Sequence, residues 1–279
     1  MQKVLILGSK GMLGGQLMRV FSNEAVGWDR YDADVTQAGD LRLKILDLSP
    51  EAVINCVAYN DVDGAEDNRD LAFKLNADIP ANLADICKEL DIPLVHFSSN
   101  YVFDGEKGEY SETDEPKPLS VYAKSKYQGE LAAQKAGGKF YIVRTAVMFG
   151  PKGESRFAKK SFVEIMLGLA DKGREIKAVG DEINSITYAV DLADAVKLLL
   201  GENYPYGIYH ITNSGQGSWY DFAKEIFKDK KIDAQVVKAS SVDFQRKAAR
   251  PKKSVLINTK LSQLRPWQEA LRNFLSGAS

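Results

Sequence analysis

The chain has 279 residues, of which 44% are hydrophobic and 27% are charged, values that are ordinary for a folded globular protein. This composition excludes disordered, collagen-like and low-complexity classes, and the length suits one large domain or one domain with a smaller lobe. No apolar run approaches the roughly 20 residues of a membrane helix, we find no signal peptide, and two cysteines cannot form a disulfide framework. We therefore expect a cytoplasmic protein that does not bind a membrane.

The net charge of −1 hides an asymmetry between the two halves of the chain. Residues 1–150 carry 16 basic and 23 acidic side chains, whereas residues 151–279 carry 21 and 15, which gives net charges of −7 and +6. Because a nucleic-acid-binding protein is usually basic throughout, we expect no nucleic acid partner. A basic second half suits a nucleotide or phosphate ligand, and ordinary solvated surface charge is the other explanation.

Strand-like and helix-like segments alternate through residue 150. The apolar runs that predict strands are residues 4–7, 26–28, 53–57, 94–97 and 141–143. The segments that predict helices are residues 12–21, 71–90 (with Pro80 opening a new segment) and 121–136. Strands that are apolar throughout and separated by helices predict a parallel sheet covered on both faces, which is a doubly wound α/β fold of Rossmann type.

After residue 150 the pattern loosens. Here the predicted elements are helices over 162–169, 189–200 and 220–227, a strand over 209–211 and an amphipathic tail over 263–275. We expect residues 1–150 to form the first domain and residues 151–279 to form mainly a smaller C-terminal lobe. Segments near 186–212 are expected to return to the first domain.

A glycine turn joins the first predicted strand to the first predicted helix. Gly8, Gly11 and Gly14 are each separated by two residues. Glycines allow a tight turn and a close approach to a pyrophosphate, and a helix N-terminus offers free N–H groups and a partial positive charge. The flanking strand and helix favour a dinucleotide site over a merely structural turn, and the spacing is not that of a P-loop.

The end of the second predicted strand carries residues suited to the adenosine half of a dinucleotide. Asp29 lies 21 residues after Gly8, where an acid that binds the ribose is expected. Such an acid favours NADH, but the adjacent Arg30 favours NADPH, so both cofactors remain candidates. Asp34 and Val35 are predicted to flank the adenine, and a solvated charged loop is the alternative interpretation.

A serine, a tyrosine and a lysine suggest carbonyl chemistry. Tyr122 and Lys126 are four residues apart and therefore share a helical face. An ammonium group lowers the pKa of a nearby phenol from about 10, which suits a tyrosine that gives a proton to a carbonyl oxygen as hydride arrives. Ser99 ends the fourth predicted strand, where open parallel sheets bind ligands, and its hydroxyl would bind the same oxygen. Each of these features is common by chance on its own.

Together, the glycine turn, Ser99 and the Tyr122-x-x-x-Lys126 pair resemble the extended branch of the short-chain dehydrogenase/reductase superfamily. Further segments resemble the dTDP-4-dehydrorhamnose reductases, namely residues 55–59, 62–66, 75–77, 99–105, 144–150, 207–210 and 250–256. The likeness covers nearly the full chain.

This resemblance implies reduction, by NADPH or NADH, of the C4 keto group of a nucleotide-linked 6-deoxy-4-keto sugar, as in dTDP-L-rhamnose biosynthesis. Residues 1–150 would be the NAD(P)-binding domain and the C-terminal lobe would bind the substrate. The catalytic residues that it implies are Ser99, Tyr122 and Lys126. Besides Tyr122 and Lys126, the cofactor-binding residues that it implies are Gly8, Lys10, Gly11, Met12, Leu13, Gly14, Ala58, Tyr59 and Asn76. The substrate-binding residues that it implies are Ser99, Asn100, Tyr101, Val147 and Arg250.

The sequence departs from the family pattern at three places. Asn100 stands where the family typically has Asp, Val147 where it has Trp, and Ile186 where it has Pro. The catalytic trio is intact, so these changes leave reduction in place. Because the loss of an indole removes a large stacking surface, they leave the identity of the sugar open.

Two other functions remain open on this fold. One is a nucleotide-sugar epimerase or dehydratase, which would need further acid/base groups that the sequence does not place. The other is a non-catalytic NADP-binding regulatory subunit, which would not need the trio. The two histidines are expected as core or edge residues of strands and the two cysteines as buried residues, and we find no ligand cluster, so we expect no metal site. The oligomeric state is open, with a homodimer among the candidates.

Overall fold

A computed structural model of the chain describes residues 3–155, 160–173, 175–202 and 204–277. Its strands in chain order are β1 (Val4–Leu7), β2 (Ala25–Trp28), β3 (Ala52–Asn55), β4 (Leu94–Ser99), β5 (Gly108–Tyr110), β6 (Phe140–Thr145), β7 (Met148–Phe149), β8 (Ile176–Val179), β9 (Ile183–Asn184), β10 (Thr187–Tyr188), β11 (Gly207–His210), β12 (Asn213–Ser214), β13 (Gly217–Ser218), β14 (Val236–Ala239), β15 (Lys253–Leu256) and β16 (Leu264–Pro266). Its α-helices are α1 (Met12–Phe21), α2 (Ala38–Leu48), α3 (Gly64–Asp67), α4 (Arg69–Phe73), α5 (Ile79–Glu89), α6 (Val121–Ala136), α7 (Phe162–Ala170), α8 (Ala189–Gly201), α9 (Trp219–Lys230) and α10 (Trp267–Leu275).

The main sheet has six strands in the order β11-β6-β4-β3-β1-β2, and every neighbouring pair in it is parallel. One face packs on α1 and α8 through residues such as Leu17 and Val196. The other face packs on α2 and α5 through residues such as Ile45 and Leu83. Because both faces are covered, strands such as β1 are apolar at every position. The predicted Rossmann-type doubly wound α/β fold is confirmed.

The strand order reverses at β1, which has β2 on one side and β3 on the other. In an open parallel sheet such a reversal leaves a crevice beyond the carboxyl ends of the strands. The glycine turn begins in this crevice, because a side chain on Gly8 would lie 3.3 Å from atoms of Cys56 and Val57, just past β3. The fold therefore brings two distant segments together at one ligand-sized opening.

The C-terminal lobe is built on a second sheet in the order β13-β9-β15-β5, to which the first half of the chain contributes β5. Aromatic residues such as Phe149, Phe222 and Trp267 form its core. Part of the second half lies with the first sheet instead, since β11 pairs with β6 and α8 packs on α1. The two halves are thus joined through sheets as well as through loops.

Several boundaries differ from the sequence-based expectation. The helix α2 was not predicted, because only Leu41 and Ile45 of its eleven residues are buried and the apolar pattern is weak. The predicted strand over 53–57 ends at Asn55, since the chain must leave the sheet to line the crevice. The long helix predicted over 71–90 contains a π-helical segment, Lys74–Asp78, before α5. Among the described residues, no helix combines the length and apolarity needed to cross a membrane.

Candidate active site

The glycine turn leaves the start of α1 open to a ligand. Gly8 adopts a positive φ of 76°, and a side chain on Gly14 would lie 2.2 Å from the Gly8 carbonyl oxygen. The N-cap residue of α1, Gly11, offers no capping side chain to the first N–H groups of the helix. Leu13 is buried in the core, so only its backbone can face a ligand. These features suit a pyrophosphate bound by backbone N–H groups.

The ribose corner at the end of β2 contains an ion pair. Lys10 from the glycine turn pairs with Asp29, and this contact lowers the pKa of the carboxyl and raises the pKa of the ammonium. Arg30 is exposed beside them. Asp34 accepts hydrogen bonds from the backbone and hydroxyl of Thr36, which lower its pKa. The positive charge of Lys10 suits a 2′-phosphate, and the carboxylate of Asp29 suits a ribose diol.

The remaining predicted cofactor residues line the crevice or support it. Ala58 and Tyr59 follow β3 and are half-buried, whereas Val35 packs partly on the core of the first domain. Asn76 is fully buried, and its amide accepts from Tyr59 N at 2.8 Å and donates to Tyr59 O at 3.1 Å. The remaining amide hydrogen goes to Ser125 Oγ at 2.9 Å. Asn76 therefore holds the Tyr59 backbone in place, with its amide occupied by protein groups.

The structure brings the predicted catalytic side chains together at the carboxyl end of β4. Ser99 ends that strand, and Tyr122 and Lys126 project from α6, whose N-terminus is capped by the Ser120 hydroxyl. All three of these side chains are buried, and Ser99 lies close enough to Tyr122 to lower its pKa through a side-chain hydrogen bond. Lys126 Nζ donates to the carbonyl of Phe97 at 2.5 Å.

The electrostatics of Tyr122 differ from the expectation. The sequence predicted that Lys126 would lower the pKa of the phenol, but burial raises it. The ammonium of Lys126 is directed to the Phe97 carbonyl, and burial lowers its own pKa to about 8. In this state Tyr122 is therefore held as the neutral phenol, which is the form that donates a proton.

Two predicted substrate residues follow Ser99 directly. Asn100 is buried, and its amide donates to Asn184 Oδ1 at 2.8 Å and to Ser254 Oγ at 2.7 Å, so it ties the first domain to the C-terminal lobe. Tyr101 packs edge-to-face on Tyr122 with ring centroids 6.3 Å apart. Burial raises the pKa of Tyr101 to about 12, so its hydroxyl stays neutral.

The other two predicted substrate residues, Arg250 and Val147, each contact the opposite half of the chain. Arg250 forms a bidentate ion pair with Asp63, with distances of 2.8 and 3.1 Å, and this contact lowers the pKa of Asp63 to about 2. Val147 has a φ of +22°, which is strained for a β-branched residue, and its carbonyl accepts from Thr187 N at 3.0 Å. Its side chain packs on the core of the lobe.

Sequence reasoning missed an ion pair next to these residues. Glu182 is buried and accepts a hydrogen bond from Arg246 at 2.6 Å, and its charge raises the pKa of Tyr101. No local motif marks either residue, because only the docking of the lobe brings them to the site. Within the described ranges, no group of three or more His, Cys, Asp or Glu side chains is arranged to hold a metal ion.

Comparison with known proteins places this architecture in a family. The whole chain, residues 1–279, matches the RmlD substrate binding domain family. The chain belongs to the RmlD family. SpsK, a spore coat polysaccharide biosynthesis protein of Bacillus subtilis, is 33% identical to it over 100% of this chain and 99% of SpsK. The dTDP-4-dehydrorhamnose reductase of Aggregatibacter actinomycetemcomitans is 36% identical, with 98% of each chain covered.

A solved structure supports the same relation. The dTDP-4-dehydrorhamnose reductase of Bacillus anthracis, in complex with NADP, superposes on this RmlD-family chain with a TM-score of 0.93. The two are 33% identical, and the match covers 99% of this chain and 100% of the other. The resemblance predicted from the motifs is therefore confirmed.

The residues of this RmlD-family chain fit a nicotinamide dinucleotide. The start of α1 is uncapped, and a cavity of about 420 Å³ borders residues 9–12 of the glycine turn and residues 152–154. Lys10 and Asp29 meet where the adenosine ribose is predicted to bind, and Tyr122 and Lys126 project from α6. Backbone donors for the pyrophosphate and an acid for the ribose are the groups that such a cofactor requires.

Proposed function

We propose that the protein is an NAD(P)H-dependent reductase of the C4 keto group of a nucleotide-linked 6-deoxy-4-keto sugar, as in the formation of dTDP-rhamnose. The observation that carries this proposal is the convergence of Ser99, Tyr122 and Lys126 beside the crevice at β1 and β3. Two of its full-length relatives are named dTDP-4-dehydrorhamnose reductases, and these names support the sugar and the reaction.

Tyr122 is the proton donor in this proposal. Bound NADPH or NADH supplies the hydride that reduces the sugar carbonyl carbon. Tyr122 donates its phenolic proton to the carbonyl oxygen, so that the alkoxide becomes an alcohol, and Ser99 orients that oxygen by a hydrogen bond. Because burial raises the pKa of Tyr122, the phenol is protonated at neutral pH, as the reducing direction requires.

Lys126 and the ion pairs of the lobe complete the arrangement. Lys126 lies one helical turn after Tyr122, and its role in this proposal is to hold the nicotinamide ribose. The net charge of +6 of residues 151–279 suits the diphosphate of a nucleotide sugar, whereas the charge of Arg250 is balanced by Asp63.

Tyr122→Phe tests the role of the phenol. We expect this variant to lose activity by about 100- to 10,000-fold, because it removes the general acid, while its affinity for NADPH stays close to that of the wild type. Tyr127→Phe is the matched control, since Tyr127 lies on the same helix and packs on a core cluster that contains none of the three predicted catalytic residues. Near wild-type turnover of Tyr122→Phe would show that the proton donor is another group.

The reaction itself is tested by mixing the protein with NADPH and dTDP-4-keto-6-deoxy-L-lyxo-hexulose and following the loss of NADPH absorbance. We expect stoichiometric consumption of NADPH and formation of dTDP-rhamnose. Redox-neutral conversion of the sugar, without net loss of NADPH, would instead indicate an epimerase or dehydratase. Cofactor binding without turnover of any keto-sugar nucleotide would indicate a regulatory subunit.

A further inference from the structure

Glu182 carries a carboxylate oxygen that has no partner. The residue immediately precedes β9, and its side chain is almost completely buried. One oxygen, Oε1, accepts from Arg246 at 2.6 Å. The other, Oε2, is shielded from solvent and has no hydrogen bond to any of the described residues.

Such an oxygen is unusual in a folded protein. Buried polar groups are nearly always hydrogen-bonded, and leaving one acceptor of a charged group unpaired is costly. A bound ligand that donates a hydrogen bond removes this cost. The ligand must be a donor, because a carboxylate in an ion pair can only accept, and a phosphate would be repelled by its charge.

Glu182 also stands next to the catalytic residues. Its charge acts on Tyr101, whose ring packs against Tyr122. Asn184, two residues further along, is hydrogen-bonded to Asn100 at 2.8 Å, and Asn100 follows Ser99 in the chain. The strand β9, which Glu182 precedes, is therefore anchored to the end of β4, where the sugar carbonyl is expected.

We propose that Glu182 Oε2 accepts a hydrogen bond from a ring hydroxyl of the substrate sugar and so selects sugars that carry this hydroxyl. This inference rests on the proposed function, because it assumes a nucleotide sugar at Tyr122. It gives the sugar itself, and not the nucleotide, a hydrogen-bond acceptor in the C-terminal lobe. The donor and the acceptor are complementary, and the charge of Glu182 strengthens the bond.

The competing explanation is that Glu182 serves only to pair with Arg246. Three variants separate the two roles. Glu182→Met removes the acceptor and leaves Arg246 unpaired, Arg246→Met leaves the acceptor in place, and the double variant removes the ion pair with little change in shape. If only the ion pair matters, both single variants weaken binding because each leaves a buried charge unpaired, and the double variant recovers because it leaves none.

Calorimetric titration with dTDP-rhamnose and with dTDP alone gives the readout, with the melting temperature of each variant as a check on folding. We expect Glu182→Met and the double variant to bind dTDP-rhamnose about 10- to 100-fold more weakly than the wild type and to bind dTDP normally. Arg246→Met should keep most of the preference for dTDP-rhamnose over dTDP. Glu182→Gln, which keeps a neutral polar group, should show an intermediate loss, and it serves as the test if Glu182→Met does not fold.

Equal binding of dTDP-rhamnose by the wild type and the Glu182 variants overturns this inference, as does an equal loss in Glu182→Met and Arg246→Met. The outcome is separable from that of the proposed function. If the wild type binds dTDP-rhamnose but reduces no keto sugar, the proposed reductase function is overturned, and the binding measurements still decide the role of Glu182. A wild type that binds no dTDP-sugar overturns both.

Discussion

The pairing of Lys10 with Asp29 places a second cation, besides Arg30, where the sequence signal for cofactor choice is mixed. Asp29 alone would bind the ribose diol of NADH and repel the 2′-phosphate of NADPH. Lys10 neutralises this carboxylate and is half-exposed, so it can also face a phosphate. The Asp29 carboxylate therefore suits the ribose diol of NADH, and the adjacent Lys10 ammonium suits the 2′-phosphate of NADPH.

We expect Lys10→Met to weaken NADPH binding about 10- to 100-fold and NADH binding much less, because the unpaired Asp29 then faces the 2′-phosphate. Fluorescence titration with each cofactor measures the two dissociation constants. Lys44→Met is the control, since Lys44 carries the same charge nearby but bonds the Asp32 carbonyl at 2.9 Å. Arg30→Ala should also weaken NADPH more than NADH, and equal losses would exclude Arg30 from the phosphate site.

At the scale of elements, the segment after β7 rests directly on the glycine turn. A side chain on Gly153 would lie 2.6 Å from Lys10 O and 2.7 Å from Met12 N. Ser155 N donates to the same Lys10 carbonyl at 2.9 Å. A piece of the second half of the chain thus supports the backbone that is proposed to hold the pyrophosphate.

We expect Gly153→Ala to weaken NADPH binding about 5- to 100-fold, because the added methyl overlaps backbone atoms that cannot rotate away. The dissociation constant for NADPH and the melting temperature together measure the effect. Gly168→Ala is the control, since a side chain at that position of α7 meets no atom within 4 Å. Unchanged NADPH binding in Gly153→Ala would show that the segment does not support the turn.

The elements that sequence analysis predicted well share a local cause. The strand β1 is apolar at every position, and β4 begins with the run Leu94–Phe97, in which only His96 is polar. The glycine turn lies between its own strand and helix, so a short window contains the whole signal. Residues such as Glu182 and Asn184 gain their roles only when the C-terminal lobe docks. Their neighbours are distant in sequence, and one chain contains no pattern that pairs them.

At the scale of the whole molecule, His210 stands where the first sheet meets the returning C-terminal segment. Its ring Nδ1 lies 3.0 Å from Ile257 O, and its Nε2 lies 3.4 Å from a guanidinium nitrogen of Arg144. A carbonyl only accepts and a guanidinium only donates, so the ring is neutral with its hydrogen on Nδ1. A second proton would point at the positive charge of Arg144.

Burial and Arg144 accordingly lower the pKa of His210 to about 4, well below its ordinary value. Glu112, which accepts from Thr259 and from the His210 backbone, opposes this shift without reversing it. Because the unfolded chain binds the proton near pH 6.5 and the folded chain does not, the folded state loses stability as the pH falls from about 6.5 to about 4. Above that window, neutral His210 adds no pH dependence.

We expect His210→Gln to be less stable than the wild type at neutral pH and to show a flatter decline on acidification. The difference in unfolding free energy between the two proteins, measured by urea denaturation from pH 7.5 to pH 4, should therefore shrink as the pH falls. His96 is also buried, so taking the difference between the proteins removes its contribution. A constant difference would contradict this prediction, as would a His210 ring that titrates near pH 6.5 by NMR in the folded protein. Either result would show that the folded protein tolerates a charged His210 and that Arg144 does not hold the ring neutral.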